Sequence, residues 1–460
     1  MFKRCSIAAV SALALWASVA QAQSPARTTP AAVDPVRVAA AEAFLAGDAL
    51  RGRGSATPDE AVAAAWVAAR FQDYGLQPAP GMSGYIQTAG VVRVALTGRS
   101  VLTVGDVAIR EGEGLTLFSS AGVNVSGPLT VTTGDDPAAV PAATAILITD
   151  PDPAHMGAWV NGAADKGAKL VLVRENAMIA GSYRSRGRTR TPTVLADEDP
   201  ADGRPEVVYL SPAAFDRLQG LDGQAATFDL GGATRPRAMT SNAVGFLPGT
   251  DPAAGVLLIS AHLDHLGVRP DGVIMHGAND DASGVTAVLE LARTLSTEPH
   301  RRGILFVAYG SEEIGGLGSQ YFGAHSPVPL TDIVANLEIE MIGAQDPKMP
   351  DGVMMMTGFE RSDFGSALKE RGALIAPDMY PEQNFFQRSD NYQLALQGVV
   401  AHTISGWAVT PTYHSPDDDI AHLDIPFMTR AIQSLVEPLR WLASSDFKPS
   451  WAEGGRPQPR

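Results

Sequence analysis

The chain has 460 residues, 45% hydrophobic and 18% charged, with a formal charge of −15. That length exceeds what one compact core usually serves and predicts two or more domains; the hydrophobic content excludes a disordered chain. The acidic balance argues against nucleic acid and anionic membranes as partners.

The first segment reads as an export signal. "MFKR" is basic, "CSIAAVSALALWASVA" is apolar but short for a bilayer span, and Ala20-Gln21-Ala22 offers small residues at the two positions a signal peptidase reads. Cleavage after Ala22 predicts a periplasmic or secreted protein, its charge moved from −15 to −17 by loss of Lys3 and Arg4. Cys5 is the only cysteine. The mature chain then has no disulfide and no thiolate, and any metal site must use His, Asp and Glu.

Residues 23–35 read as a flexible leader. From Val36 to Gly75, apolar residues recur at helical spacing and each run stops near Gly or Pro. Residues 92–145 are rich in Val, Thr and Gly with alternating polarity, which predicts short strands. "ATAILITD" (143–150) and "KLVLV" (169–173) read as buried strands around a helix at 154–168. "YRSRGRTRTPTV" (183–194) reads as a basic surface loop. From about Gly245, strands (255–261, 304–310, 332–341, 353–358, 398–405) alternate with helices (281–296, 315–324, 361–371, 389–397, 425–444). The class expected is α/β, a mixed central sheet with helices on both faces.

Ligand sites of such sheets form at the carboxyl ends of strands. Five segments place acidic or imidazole groups there: "SAHLDHLG" (260–267), "GANDDASG" (277–284), "AYGSEEIGG" (308–316), "ANLEIEMIG" (335–343) and "TYHSPDDD" (412–419). Each alone has a plain reading: a helix cap, a solvated acidic pair, a chance His-x-Asp. Together they bring carboxylates to the ends of buried strands with few Lys or Arg nearby in sequence, and divalent cations are the natural compensation.

In this order the five segments resemble peptidase family M28, the zinc aminopeptidases and carboxypeptidases. The resemblance implies a zinc exopeptidase fold with two zinc ions per chain above the sheet. It implies metal ligation by His262, Asp280, Glu313, Glu340 and His414, with Asp280 bridging. Glu312 becomes the general base, Asp264 the group orienting His262, and Tyr413 a donor to the developing oxyanion or a packing residue. The expected reaction is attack by a hydroxide held between two zincs on a peptide or small amide. An aminopeptidase is preferred; a carboxypeptidase would need a cation near the metals, for which Arg388 is the nearest candidate. Residues 96–237 more loosely resemble a protease-associated domain inserted into such peptidases, either limiting access to the active site or purely structural. The expected layout is therefore a catalytic domain at 36–95 and 238–447, the insert at 96–237, and a tail at 448–460.

Two positions depart from the family pattern. Glu340 stands where Asp is usual, with Glu338 on the same strand face as a weaker alternative. Ser389-Asp390-Asn391 stands where Ser-Asp-His is frequent. The histidines at 155, 276, 300, 325, 402 and 422 are expected to be surface or packing residues, and His265 to be another such residue or at most a group behind the ligands. Two other functions share the fold: a single-zinc glutaminyl cyclase, and a non-catalytic binding ectodomain resembling the transferrin receptor. Retention of every ligand position argues against both.

Overall fold

The computed structural model describes residues 32–458, except 134–135, 150–155, 177–188, 200 and 202. The export segment, His155 and the first half of the arginine loop lie outside the described residues.

Nine strands form the larger sheet, in the order Ile375–Pro377, Met354–Met356, Ala401–Ser405, Ile333–Ile339, Val256–His262, Gly303–Tyr309, Arg237–Leu247, Ile86–Arg93 and Thr193–Leu195. Four central neighbours, from Ala401–Ser405 to Gly303–Tyr309, run parallel, and the rest make the sheet mixed. Continuous apolar runs suit these central strands because both faces are covered. Leu257, Ile259 and Ala261 pack with helices Ser283–Leu295 and Ile425–Ser444. Leu258, Val307 and Tyr309 pack on the opposite side with Phe322 of Leu317–Ala324 and Leu394 of Asn391–Leu396. The predicted α/β architecture with two covered faces is the one observed. Strand Arg237–Leu247 and the start of Ile86–Arg93 lie outside the predicted strands, and they extend the sheet by antiparallel pairing.

A second, eight-stranded sheet holds strands between residues 101 and 229. It has its own cores: Leu102, Leu129, Leu172 and Phe228 on one side, and Ile146, Val171 and Tyr209 with Trp159 of helix Met156–Asp165 on the other. The chain enters and leaves beside a two-stranded pair, Ala95–Leu96 with Ala233–Thr234. Thr193–Leu195 departs from this unit and pairs with Ile86–Arg93 at the edge of the larger sheet. The C-terminal segment is docked: the Trp451 indole N–H donates to the Gly398 carbonyl (3.2 Å), and Ala452 N to that of Arg361 (2.8 Å).

Candidate metal centre

Strand Val256–His262 ends on His262, whose Nε2 lies 3.2 Å from Asp280 Oδ1. Asp280 comes from the loop that leads into helix Ser283–Leu295. That loop is held from the far end of the chain, because the Asp418 carboxylate accepts from Asn279 N (2.7 Å) and Asp280 N (3.1 Å). The neighbouring Asp281 accepts from Gly284 N (2.9 Å) and Met341 N (3.0 Å), joining the helix start to the end of strand Ile333–Ile339. One residue beyond that strand stands Glu340, grouped with His262 and Asp280 as donors that can surround an ion.

A second group shares Asp280. His414 Nε2 lies 3.2 Å from Asp280 Oδ2 and 3.1 Å from Glu313 Oε2. His265 completes it, with Nδ1 2.9 Å from Glu313 Oε1 and 3.8 Å from Asp280 Oδ2. His265 is thus no bystander in position; it is fully buried against the ligand set.

These donors fit a divalent metal. Zinc bound tetrahedrally at ~2.1 Å has its donor atoms about 3.4 Å apart. The donor separations of the second group, 2.9, 3.1, 3.2 and 3.8 Å, lie around that value, with Glu313 turning Oε1 to His265 and Oε2 to His414. Without cations, so many buried carboxylates are unfavourable. Hydrogen bonds between the imidazoles and carboxylates also link these groups. Burial disfavours charge on His414, but hydrogen bonds to Asp280 and Glu313 push its pKa up to about 10. Burial acts to raise Asp280, yet His262 and His414 hold it well below the usual carboxylate range.

Asp264 behaves differently from the sequence expectation. Its carboxylate is 3.8 Å from His262 Nδ1, whereas its backbone carbonyl is 3.2 Å from that nitrogen. The carboxylate instead accepts from Glu312 N (2.9 Å), Glu313 N (3.3 Å) and the Ser55 hydroxyl (2.5 Å). Asp264 therefore holds the turn that carries the two glutamates. Glu312 itself is raised well above the usual carboxylate range, mainly by burial, with Asp390, Glu313 and Glu340 adding and His262 opposing. Tyr413 stacks on His414, with ring centroids 3.8 Å apart. Burial, then the surrounding carboxylates, raise its phenol above the ordinary value, so it stays a donor. It lines a narrow pocket with Glu340, Met355, Phe385 and Arg388. Glu338 is turned away from the ligand set, bonded to the Ser260 hydroxyl. Asn391 is structural, its amide bonding to the Phe386 and Ala401 carbonyls.

Sequence reading also misses Arg53. It expects few cations near these loops, but the buried Arg53 guanidinium donates to the carbonyls of Leu45 (2.6 Å), Leu263 (2.9 Å), His276 (2.7 Å) and Gly277 (2.9 Å). Its only sequence signal is a place in the helical N-terminal region, so tertiary contact alone reveals it.

A mixed α/β sheet with two carboxylate–imidazole groups sharing one aspartate at its strand ends has the fold and donor set of a metallopeptidase. The chain belongs to peptidase family M28, whose family description matches residues 242–437. It is 35% identical over 216 residues to the uncharacterised protein YfbL of Escherichia coli, covering 40% of this chain and 67% of that one. It is 28% identical over 174 residues to Aminopeptidase YwaD of Bacillus subtilis, where the match spans 36% of this chain and only 37% of the relative. Among solved structures, an aminopeptidase from Aneurinibacillus sp. strain AM-1 superposes with a TM-score of 0.58 at 19% identity, covering 90% of this chain and 94% of that one. BSAP, a zinc aminopeptidase from Bacillus subtilis, gives 0.52 at 17% identity over 90% and 97%. The fold is shared with both.

Proposed function

We propose that the protein is an exported, di-zinc aminopeptidase that removes the N-terminal residue from peptides or small amides. The observation that carries this reading is the sharing of Asp280 between two donor groups, Oδ1 toward His262 and Oδ2 toward His414. One ion would be held by His262, Asp280 and Glu340, the other by Asp280, Glu313 and His414. Bound zinc supplies Lewis acidity to the scissile carbonyl and to the attacking water. Glu312 would accept that water's proton at its carboxylate and return it to the leaving amine. Tyr413 keeps its proton and offers its hydroxyl at the pocket beside Glu340. Relatives named aminopeptidases, and the signal-like residues 1–22, support the reading. Among the described residues no helix is long and apolar enough to cross a membrane.

The protease-associated-like insert walls the access route in this reading. A cleft of about 610 Å³ runs between Ser119, Arg190, Glu198 and Arg204 of the insert region and Glu313 and Gln320 of the catalytic body.

One observation favours a second reading. Arg388 lines the pocket beside Glu340 and Tyr413, where a cation could receive a substrate carboxylate. Zinc-loaded protein assayed on matched dipeptides with free and blocked amino groups separates the two. Cleavage confined to free amines supports the aminopeptidase; cleavage of N-blocked substrates alone overturns it in favour of the carboxypeptidase.

A further inference from the structure

His265 is built into the centre more firmly than a packing residue requires. Its side chain is fully buried, and neither Nδ1 nor Nε2 has a well-aligned hydrogen-bond partner among the described residues. An imidazole in that state is costly unless something occupies its nitrogens. Nδ1 is the nitrogen turned to the site, 2.9 Å from Glu313 Oε1 and 3.8 Å from Asp280 Oδ2. The backbone pins it there: His265 N donates to the Arg53 carbonyl (3.1 Å), and the His265 carbonyl accepts from Ser55 N (3.2 Å). Gly277 makes room for the ring. A Cβ on Gly277 would lie 2.4 Å from His265 Cγ, and its φ of +60° is one that residues with side chains rarely adopt.

We infer that His265 is a fourth protein ligand of the metal position formed by Asp280, Glu313 and His414, an inference that rests on the two-metal reading above. The two positions are then chemically unequal. The His265 position is closed by four protein donors, the arrangement of tightly held zinc, whereas the His262 position has three donors and keeps room for water or substrate. Metal fills the four-donor position first and exchanges from the three-donor position more readily.

Cadmium NMR on the full chain, with histidine imidazoles labelled with nitrogen-15, tests this without reference to activity. Fully loaded protein is expected to show scalar coupling from cadmium to three imidazoles, two of them on the ion that binds first. Coupling to only His262 and His414 overturns the inference while leaving the two-metal reading intact. No cadmium uptake at all defeats both. Cadmium titration of metal-free variants gives a second arm. His265→Ala should weaken the first binding step by more than the about 10- to 100-fold that loss of an outer hydrogen-bonding partner brings. His265→Gln can still donate a hydrogen bond to Glu313 but is a poor zinc-type ligand, so it should be impaired as well. Near-wild-type affinity in His265→Gln would mean that the residue only positions Glu313, and would overturn the assignment.

Discussion

Glu312 and Glu313 are neighbours in the chain with opposite proton affinities. Burial acts to raise both. For Glu313 the negative charge of Asp280 adds to that, but His265 and His414 outweigh it and bring the group below its ordinary value; among the described residues Glu312 has only the charge of His262 opposing its burial, and it is raised. Two carboxylates pushed apart in this way mark a division of labour, here ligand and base. Glu312→Gln is therefore expected to keep full metal content and lower kcat by about 10²–10⁴, the usual contribution of a general base; substantial residual turnover with both metals bound would sink the assignment. A second buried glutamate gives a pH prediction. Burial pushes Glu42 up from 4.5 to about 8, with Thr286 and Arg53 only partly offsetting it. The folded state then holds a proton that the unfolded chain has already released above pH 4.5. Stability falls as pH rises from about 4.5 to about 8, by a total on the order of 5 kcal/mol from this group. Glu42→Gln should flatten that slope in urea unfolding at pH 5, 7 and 8.5; an unchanged slope would show that Glu42 is not its source.

The loop 277–282 is where element and site meet, and it is also where sequence legibility ends. Strand-end positions told which residue types gather at the sheet: His262, Glu313 and Glu340 follow apolar runs, Asp280 precedes a helix, and His414 lies in the turns beyond strand Ala401–Ser405. A residue beyond a strand end escapes such reasoning. Whether His265 faces the metals depends on the bend imposed by the Arg53 carbonyl, a contact 212 positions away in sequence. The task of the Asp264 carboxylate likewise depends on Glu312 N arriving from the next strand. Asp418 is one of three consecutive aspartates, and pattern cannot rank them. Only the fold shows that Asp418 accepts two backbone N–H groups of the loop carrying Asp280, while Asp419 caps the short turn Ile420–His422. Asp418→Asn keeps the shape but replaces one accepting oxygen with a donor, leaving a backbone N–H unpaired. Metal affinity is expected to drop about 10- to 100-fold, as for other outer-shell losses, with the apo fold retained. Asp419→Asn should leave affinity unchanged, and equal effects from the two would refute the distinction.

At the scale of the whole molecule, the described chain has two sheets, each with its own apolar core. All the proposed ligands belong to the larger one. The smaller is joined to it through the pair Ala95–Leu96 and Ala233–Thr234 and through the three-residue strand Thr193–Leu195. Such limited connection favours separate cooperative units, because few apolar contacts link the unfolding of one core to the other. Ligand linkage then separates them. A metal bound only to the folded catalytic body stabilises that body by about 2.7 kcal/mol at free metal 100 times Kd and about 4.1 at 1,000 times, and leaves the other unit untouched. Calorimetry is therefore expected to show two transitions. Chelation should lower one by several degrees, on the ~2–4 °C per kcal/mol typical of large domains, and restoring zinc should return it. The second transition should not move in either step. A single transition displaced as a whole by chelation would show instead that strand Thr193–Leu195 and the cleft contacts weld the insert to the catalytic body. In that case the insert and the larger body unfold as one unit, and the two-unit description would be excluded.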